Sequence, residues 1–379
     1  MMNNSTSIQD WLYNCIRCGN CKYIFKDYSP SCPSGEYFHF ESFFASGRLW
    51  LAHGIQKGEL DWDSSLLDPI FACTTCSSCE IQCLAPHHEY IVDVIEELRA
   101  LAVEALGPLE AHEKFAKRIQ ASHNPYGHEH HNRALLEIHN LPEKAPIVYF
   151  VGCTANYREE VIRDATISIL KKTGIDFTIV DEYCCGSPLI RTGQIEQVND
   201  LAEHNYSVFE QAGAKRILTS CSGCYRTLLK DYQKIGLRPD FEILHISQFV
   251  RELLDSGKLS LKISNTELEV TYHDPCHLGR HMNEYDAPRE VLANLPITFR
   301  EMEFTRENAW CCGSGGGCKS QYPEWSLETA RKRITQAKST KVSTLVSACP
   351  FCKRAFMDAN DGSLDIIDLS EIVDRFTET

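Results

Sequence analysis

Apolar and polar positions along this chain fall into blocks of two sizes. Short runs of apolar and β-branched residues read as buried strands at 147–151, 177–180, 216–219 and 241–244, then again at 270–272, 297–304, 344–346 and 365–367. Between them lie longer stretches with apolar residues at helical spacing: 159–172, 195–211, 225–232 and 247–254, then 287–295, 327–338 and 352–359. Short strands alternating with helices predict parallel sheets covered by helices. The N-terminal part differs and reads as helical. It has a helix-like stretch at 38–56 and a long periodic one at 90–106, where Ile91, Val94, Ile95, Leu98, Leu101 and Ala102 share a face. The stretch 120–146, rich in His, Asn and Pro, reads as a linker.

The C-terminal landmarks occur twice in one order. Gly152-Cys153 answers to Pro275-Cys276, Tyr183-Cys184-Cys185-Gly186 to Trp310-Cys311-Cys312-Gly313, and Cys221-Ser222-Gly223-Cys224 to Cys349-Pro350-Phe351-Cys352. The separation between partners is nearly constant, which means duplication. The expected layout is a cysteine-rich helical domain over 1–110, a linker over 111–145, and two repeated α/β domains over 146–260 and 261–379. In parallel sheets ligands bind beyond the carboxyl ends of strands. Cys153, Cys221, Cys276 and Cys349 each follow closely on a predicted strand.

Composition narrows the chemistry. With 38 basic and 52 acidic residues the formal charge is −14, which argues against nucleic acid as a partner. No run approaches the ~18 apolar residues of a membrane span, and Met1 to Asp10 is too polar for a signal peptide. The 19 cysteines are odd in number and spread over a long chain, unlike a short secreted disulfide scaffold. The expected setting is a reducing cytoplasm, with metal holding the thiolates and any membrane reached through a partner.

Cys73-x-x-Cys76-x-x-Cys79-x-x-x-Cys83 has the spacing of a cubane [4Fe–4S] run, whose fourth cysteine reaches the neighbouring cluster. Cys15-x-x-Cys18-x-x-Cys21 is a second run, with Cys32, before Pro33, as its fourth member. Swapped pairing then gives one cube on Cys15, Cys18, Cys21 and Cys83, and another on Cys73, Cys76, Cys79 and Cys32. Ten residues separate Cys21 from Cys32 where three are usual, so the loop 22–31 must bulge outward. Zinc sites use Cys-x-x-Cys pairs; triplets followed by a fourth cysteine fit iron and sulfide better.

Each repeat adds five cysteines: Cys153, Cys184, Cys185, Cys221 and Cys224, then Cys276, Cys311, Cys312, Cys349 and Cys352. Five thiolates exceed what a cube or a zinc ion needs. Gly-Cys…Cys-Cys-Gly…Cys-x-x-Cys, duplicated behind a two-cubane module, resembles the CCG-domain family, and most of all the catalytic subunit of the membrane-associated heterodisulfide reductases. The resemblance implies an α-helical ferredoxin-like domain followed by two Rossmann-like CCG domains related by a pseudo-two-fold. It also implies two cubane clusters, and a non-cubane [4Fe–4S] cluster in each complete five-cysteine set. By the same resemblance, electrons come from a partner, a flavoprotein or a membrane cytochrome, and pass through the cubanes to the non-cubane clusters. There a small disulfide between the repeats is cleaved, or thiols are oxidised. The alternative is a relay subunit between a flavoprotein dehydrogenase and a quinone, with no substrate chemistry of its own.

Charged residues near these cysteines are candidates for an anionic thiol substrate: Arg280 and His281 after Cys276, Lys353 and Arg354 after Cys352, and Arg226 in the first repeat. His273 is a candidate proton donor to a product thiolate. Cys318 lies outside both sets and reads as structural. The glycines from Gly313 to Gly317 follow Cys-Cys rather than a strand, so they are no dinucleotide fingerprint; they read as backbone packed against a cluster. His87, His88, His128, His130 and His131 read as exposed loop residues.

Overall fold

A computed structural model describes residues 15–86, 88–130, 132–238, 240–262 and 267–378. The N-terminal part is helical, with α1 (Ala45–Gln56), α2 (Ile91–Leu106) and α3 (Glu110–Ser122). Leu49, Ala52, Ile70, Phe71, Ile91, Val94, Ile95 and Leu98 form its core, as the periodicity of α2 requires. The helix expected over 38–56 is interrupted. A short helix, Pro33–Phe38, stops at His39 in the left-handed region (φ 57), and a 3₁₀ turn, Glu41–Phe43, precedes α1. This break aims the Phe43 carbonyl at the buried Arg48, which donates to it and to the carbonyls of Pro69 and Ala72, each at 2.6 Å.

The stretch 111–145 carries helix rather than solvated linker. α3 buries Phe115, Ala116 and Ile119 against Leu189, Val198 and Leu201 of the first repeat, and a further helix covers Asn132–Ile138. His130 there pairs with Asp181, and His128 stacks on Tyr157. His87 and His131 lie outside the described residues.

The first repeat comprises β1 (Ile147–Phe150), α4 (Glu160–Lys172), β2 (Phe177–Thr178), α5 (Val198–Gln211), β3 (Arg216–Thr219), β4 (Glu242–His245) and α6 (Ile246–Asp255). The second comprises β5 (Glu269–His273), α7 (Asp286–Asn294), β6 (Thr298–Phe299), α8 (Pro323–Ser339), β7 (Thr344–Ser347), α9 (Pro350–Ala359), β8 (Asp365–Asp368) and α10 (Leu369–Phe376). Both sheets are parallel, ordered β2-β1-β3-β4 and β6-β5-β7-β8. Val148, Tyr149 and Phe150 are all fully buried, because a parallel sheet is covered on both faces. The edge strands β2 and β6 are two residues long, shorter than the apolar runs at 177–180 and 297–304 suggest. The run 225–232 is helical but takes a π-turn at Thr227–Asp231.

In this strand order the direction of winding reverses between β1 and β3, and between β5 and β7. The crevice beyond their carboxyl ends is where doubly wound folds bind ligands. One apolar core runs through both repeats, joining Val148, Ile217 and Phe249 to Val270, Val291 and Ile372. The packing is reciprocal: α4 lies against α10, and α6 against α7. The first long helix of each repeat thus meets the last helix of the other. Among the described residues, no helix is long and apolar enough to cross a membrane.

Candidate metal centres

None of the 19 cysteines is joined in a disulfide. The eight N-terminal ones divide four and four. One cavity is lined by Cys15, Cys18, Cys21 and Cys83, with Ala45, Leu49, Ile91 and Val94 behind them. A second is lined by Cys32, Cys73, Cys76 and Cys79. The long gap before Cys32 closes on itself: Tyr23 bridges Pro30, Ile24 N–H donates to Ser29 O, and Ser31 N–H to Lys22 O. The loop returns the chain to where it left, and the Ser31 hydroxyl donates to Cys21 O.

Each repeat gathers its five cysteines at the winding reversal. Cys153 and Cys276 follow β1 and β5; Cys221 and Cys349 follow β3 and β7. In both, the second member of the Cys-Cys pair accepts from two thiols, which hold its pKa below the usual thiol range: Cys184 and Cys224 act on Cys185, and Cys311 and Cys352 on Cys312. The Cys312 and Cys352 sulfurs are 3.4 Å apart.

The four sets form one row. Cys21 is close enough to Cys32 and Cys79 for their charges to interact. The Cys76 thiol touches Cys311, which together with burial raises its pKa. Cys221 touches Cys349 across the boundary between the repeats. The order is therefore Cys15/18/21/83, then Cys32/73/76/79, then the second-repeat set, then the first-repeat set. Primary structure gives no hint of this, since the second repeat lies further along the chain yet adjoins the N-terminal module.

Backbone and arginines hold the row together. A Cβ on Gly315 would sit 2.6 Å from Thr74 O, and one on Gly316 (φ +63) would sit 2.2 Å from Cys73 O. The glycine-rich stretch therefore packs against the Cys73–Thr74 backbone. Cys318 is buried beside it, 3.6 Å from Phe71 O. Arg99, fully buried, donates to the carbonyls of Ile70, Phe71, Cys73, Arg191 and Gly316, joining all three domains.

The charged candidates are already engaged within the protein. Arg280 donates to Cys76 O (2.6 Å), Ala309 O (2.7 Å) and Glu307 O (3.2 Å). His281 Nε2 donates to Thr75 O at 2.7 Å. Lys353 is buried between Glu159 (3.1 Å) and Glu371 (2.6 Å), and Arg354 pairs with Asp358 at 2.7 Å. Arg226 and Arg191 share Glu96 at 3.2 and 2.8 Å; against the opposing effect of burial, these two arginines hold Asp231 down to about 2. His273 is buried, and that burial, with the charge of Arg333, keeps its ring neutral.

Several residues at the site carry no sequence signal of their own. His277 faces Gly223 across the repeat boundary: a Cβ on Gly223 would lie 3.7 Å from His277 Nδ1 and from Cys221 Sγ. The buried His245 sits 3.1 Å from Ala348 O through Nε2. Glu182 accepts the N–H groups of Val151 (2.9 Å) and Gly152 (2.6 Å) just before Cys153.

The donor sets fit iron–sulfur clusters. Burial pushes Cys21 and Cys32 up to about 11, so crowded buried thiols of this kind ionise only when a metal takes the proton's place. In the neighbourhood of these cysteines Arg48, Arg99 and Arg280 donate to carbonyls and, in Arg48's case, a hydroxyl, with no carboxylate among these partners. Buried cations need a counter-charge, which anionic thiolate-bound clusters would provide.

A parallel sheet that gathers five thiols at its winding reversal, twice, behind a helical eight-cysteine module defines an iron–sulfur protein of the cysteine-rich class. Family models agree. A cysteine-rich (CCG) domain matches residues 147–229 and 270–357, and a 4Fe-4S dicluster domain matches 11–85. The chain is 36% identical to the D subunit of the dihydromethanophenazine:CoB–CoM heterodisulfide reductase of Methanosarcina acetivorans, over 98% of this chain and 94% of that one. It belongs to the family of these D subunits. It is also 28% identical to the EtfAB:quinone oxidoreductase of Syntrophomonas wolfei, over 81% of this chain and 46% of that one. A hypothetical protein from Helicobacter pylori shares the fold, with a TM-score of 0.61 at 11% identity, covering 86% of this chain and 66% of that one.

Proposed function

We propose that this chain is the substrate-handling subunit of a thiol/disulfide oxidoreductase, reducing a small disulfide or forming it from two thiols. The observation that carries this reading is the contact of Cys221 with Cys349, which sets two complete five-cysteine sets face to face across the repeat boundary. Cys15, Cys18, Cys21 and Cys83 would hold one cubane [4Fe–4S] cluster, and Cys32, Cys73, Cys76 and Cys79 another. The five-cysteine sets would hold two non-cubane clusters. Such groups supply single electrons and, in the repeats, iron sites for sulfur.

Disulfide cleavage needs two electrons, plus two protons if both halves leave as thiols, and two one-electron centres flanking one substrate match that count. The chain's own residues shape the place. Gly223 keeps side-chain bulk out of the boundary between Cys221 and His277. Ser222 donates to Ala348 O at 2.7 Å, holding the two Cys-x-x-Cys turns together. The reciprocal helix packing supports a pseudo-two-fold relation between the repeats. Cys18 is exposed, and Ile16 (80% exposed) and Leu84 (75%) flank that end of the row. A flavoprotein or cytochrome partner would meet the chain there, in the cytoplasm or at the membrane face.

Anaerobic purification with iron and sulfide analysis tests the cluster assignment: four clusters give about 16 iron atoms per chain. EPR with candidate thiols tests the chemistry. One half of the true disulfide should alter a signal that Cys221→Ser or Cys349→Ser removes. Full iron content with no thiol-sensitive signal would leave the relay reading, which the likeness to the EtfAB:quinone oxidoreductase favours.

A further inference from the structure

The second repeat holds a polar group that the first lacks. His273 ends β5 and pairs in register with Ser347, two residues before Cys349. Phe150 ends β1 and pairs with Thr219, two residues before Cys221. The two occupy one position in the fold. Phe150 is an ordinary core side chain, fully buried and edge-on to Phe209.

His273 is equally enclosed, 1% exposed and edge-on to Phe356. An imidazole in that place is destabilising unless its nitrogens find partners. Arg333 Nε donates to Nδ1 at 3.2 Å. Arg333 is itself buried and fixed on Phe304 O and Gln336 Oε1, both at 2.8 Å. A guanidinium only donates, so Nδ1 presents its lone pair and the neutral ring carries its proton on Nε2. Nε2 has no hydrogen-bond partner. A ring nitrogen of His273 and the sulfurs of Cys312 and Cys352 all lie within 4.8 Å of one another. With Nδ1 taken by Arg333, Nε2–H is the ring's one uncommitted donor in this group.

We infer that, with the cluster in place, His273 donates a hydrogen bond to the sulfurs of the second-repeat cluster, locked in the donating tautomer by Arg333, and that it sets that cluster's reduction potential above its partner's. This rests on the reading that the second five-cysteine set carries a cluster. A hydrogen bond to a ligating sulfur draws off negative charge, so it stabilises the reduced, more negative state more than the oxidised one. In the first repeat Phe150 offers no such donor. The higher potential falls on the set that Cys76 joins to the ferredoxin-like module, where an electron arriving along the row first enters the pair of repeats.

The test is an EPR-monitored redox titration of the full chain with its clusters, comparing wild type with His273→Phe and His273→Gln. The first imports the residue of the first repeat; the second keeps an N–H donor. The second-repeat signal is identified by its loss in Cys312→Ser. His273→Phe should lower the ratio of reduced to oxidised cluster at fixed potential about tenfold, ~59 mV for a one-electron couple, with iron content unchanged. His273→Gln should keep most of the wild-type value. Equal midpoints in all three proteins overturn the inference, as does loss of iron from both variants, which would make the ring a ligand. Pulsed EPR of wild type labelled with ¹⁵N-histidine needs no substitution: the weak coupling of a hydrogen-bonded nitrogen is expected, and a ligand's strong coupling, or none, contradicts it. If no signal depends on Cys312, this inference and the proposed disulfide chemistry fail together. A thiol-sensitive signal with an unmoved midpoint sinks this inference alone.

Discussion

At the opening cysteine the first repeat uses Gly152 and the second Pro275. Gly152 has φ +77, and a Cβ there would lie 3.1 Å from Cys224 Sγ, so a side chain would press on the thiol set. Its N–H and that of Val151 go to the buried carboxylate of Glu182. Proline has no N–H to give, and the second repeat holds the same loop otherwise: Asp274 takes the Arg306 N–H at 2.8 Å and a two-pronged bond from Arg289. The thiols and the sheet order are duplicated; what surrounds them is not. The second repeat meets the N-terminal module thiol to thiol, through Cys76 and Cys311, while the first meets it through the apolar face of α3 and an ion pair, Arg191 on Glu96. After duplication the cysteine pattern stayed common to both repeats, and the other residues gave each set its place in the row.

The most damaging test of that contrast removes the thiol junction. Cys311→Ser should abolish rapid reduction of the first-repeat centre, although all five of its own cysteines remain, because the row is cut upstream. Cys184→Ser should spare the second-repeat centre. Freeze-quench EPR after mixing with a one-electron donor reads both. Equal loss of both centres in both variants would mean that electrons do not travel the row in that order.

A smaller effect separates the two sides of the repeat boundary. Lys353, next to Cys352, reaches across to Glu159, which is 3% exposed. The residue next to Cys224 is Tyr225, part of the shared apolar core. Lys353→Met leaves Glu159 only the longer pairing with Arg354, at 3.8 Å, and should cost about 3 kcal/mol, whereas Tyr225→Phe should cost about 1 kcal/mol. Denaturation midpoints compare the two. A mild Lys353→Met would return Lys353 to the pool of free cations available to a substrate.

These cases show what a one-dimensional reading reaches. The thiol sets were legible because spacing carries them, and the strands because buried parallel strands are continuous apolar runs. The four-and-four division of the N-terminal cysteines follows from the spacing of their two runs. The fates of Arg280, His281 and Lys353 were not legible: a charged residue beside a cysteine looks the same whether it awaits an anion or is spent on a carbonyl from a distant segment. His277, Glu182 and Arg99 were invisible for the same reason, since each acts on a residue far away in sequence. The stretch 111–145 was misleading locally. Its polar histidines hide the apolar face of α3, formed by Phe115, Ala116 and Ile119, whose partners lie in the first repeat.

The finest test lies at the ends of β4 and β8, where equivalent positions carry opposite titrations. His245 pairs in register with Thr219, and Asp368 with Ser347; each caps the helix that follows, accepting the N–H of Ser247 or Ser370. Burial lowers His245 to about 4 and raises Asp368 to about 8. For Asp368 the folded chain keeps a proton that the unfolded chain releases near pH 4, so its contribution is present at low pH and is lost as pH rises towards 8. For His245 the unfolded chain gains a proton near 6.5 that the folded chain refuses until about 4, so stability falls as pH drops through that window. Each slope is at most about 1.4 kcal/mol per pH unit. Asparagine caps helices well and does not titrate. Asp368→Asn should therefore flatten the fall in melting temperature between about pH 6.5 and 8 and, below that, leave the acid-side fall from His245 unopposed. If that alkaline slope persists unchanged in Asp368→Asn, the buried carboxyl is not its source.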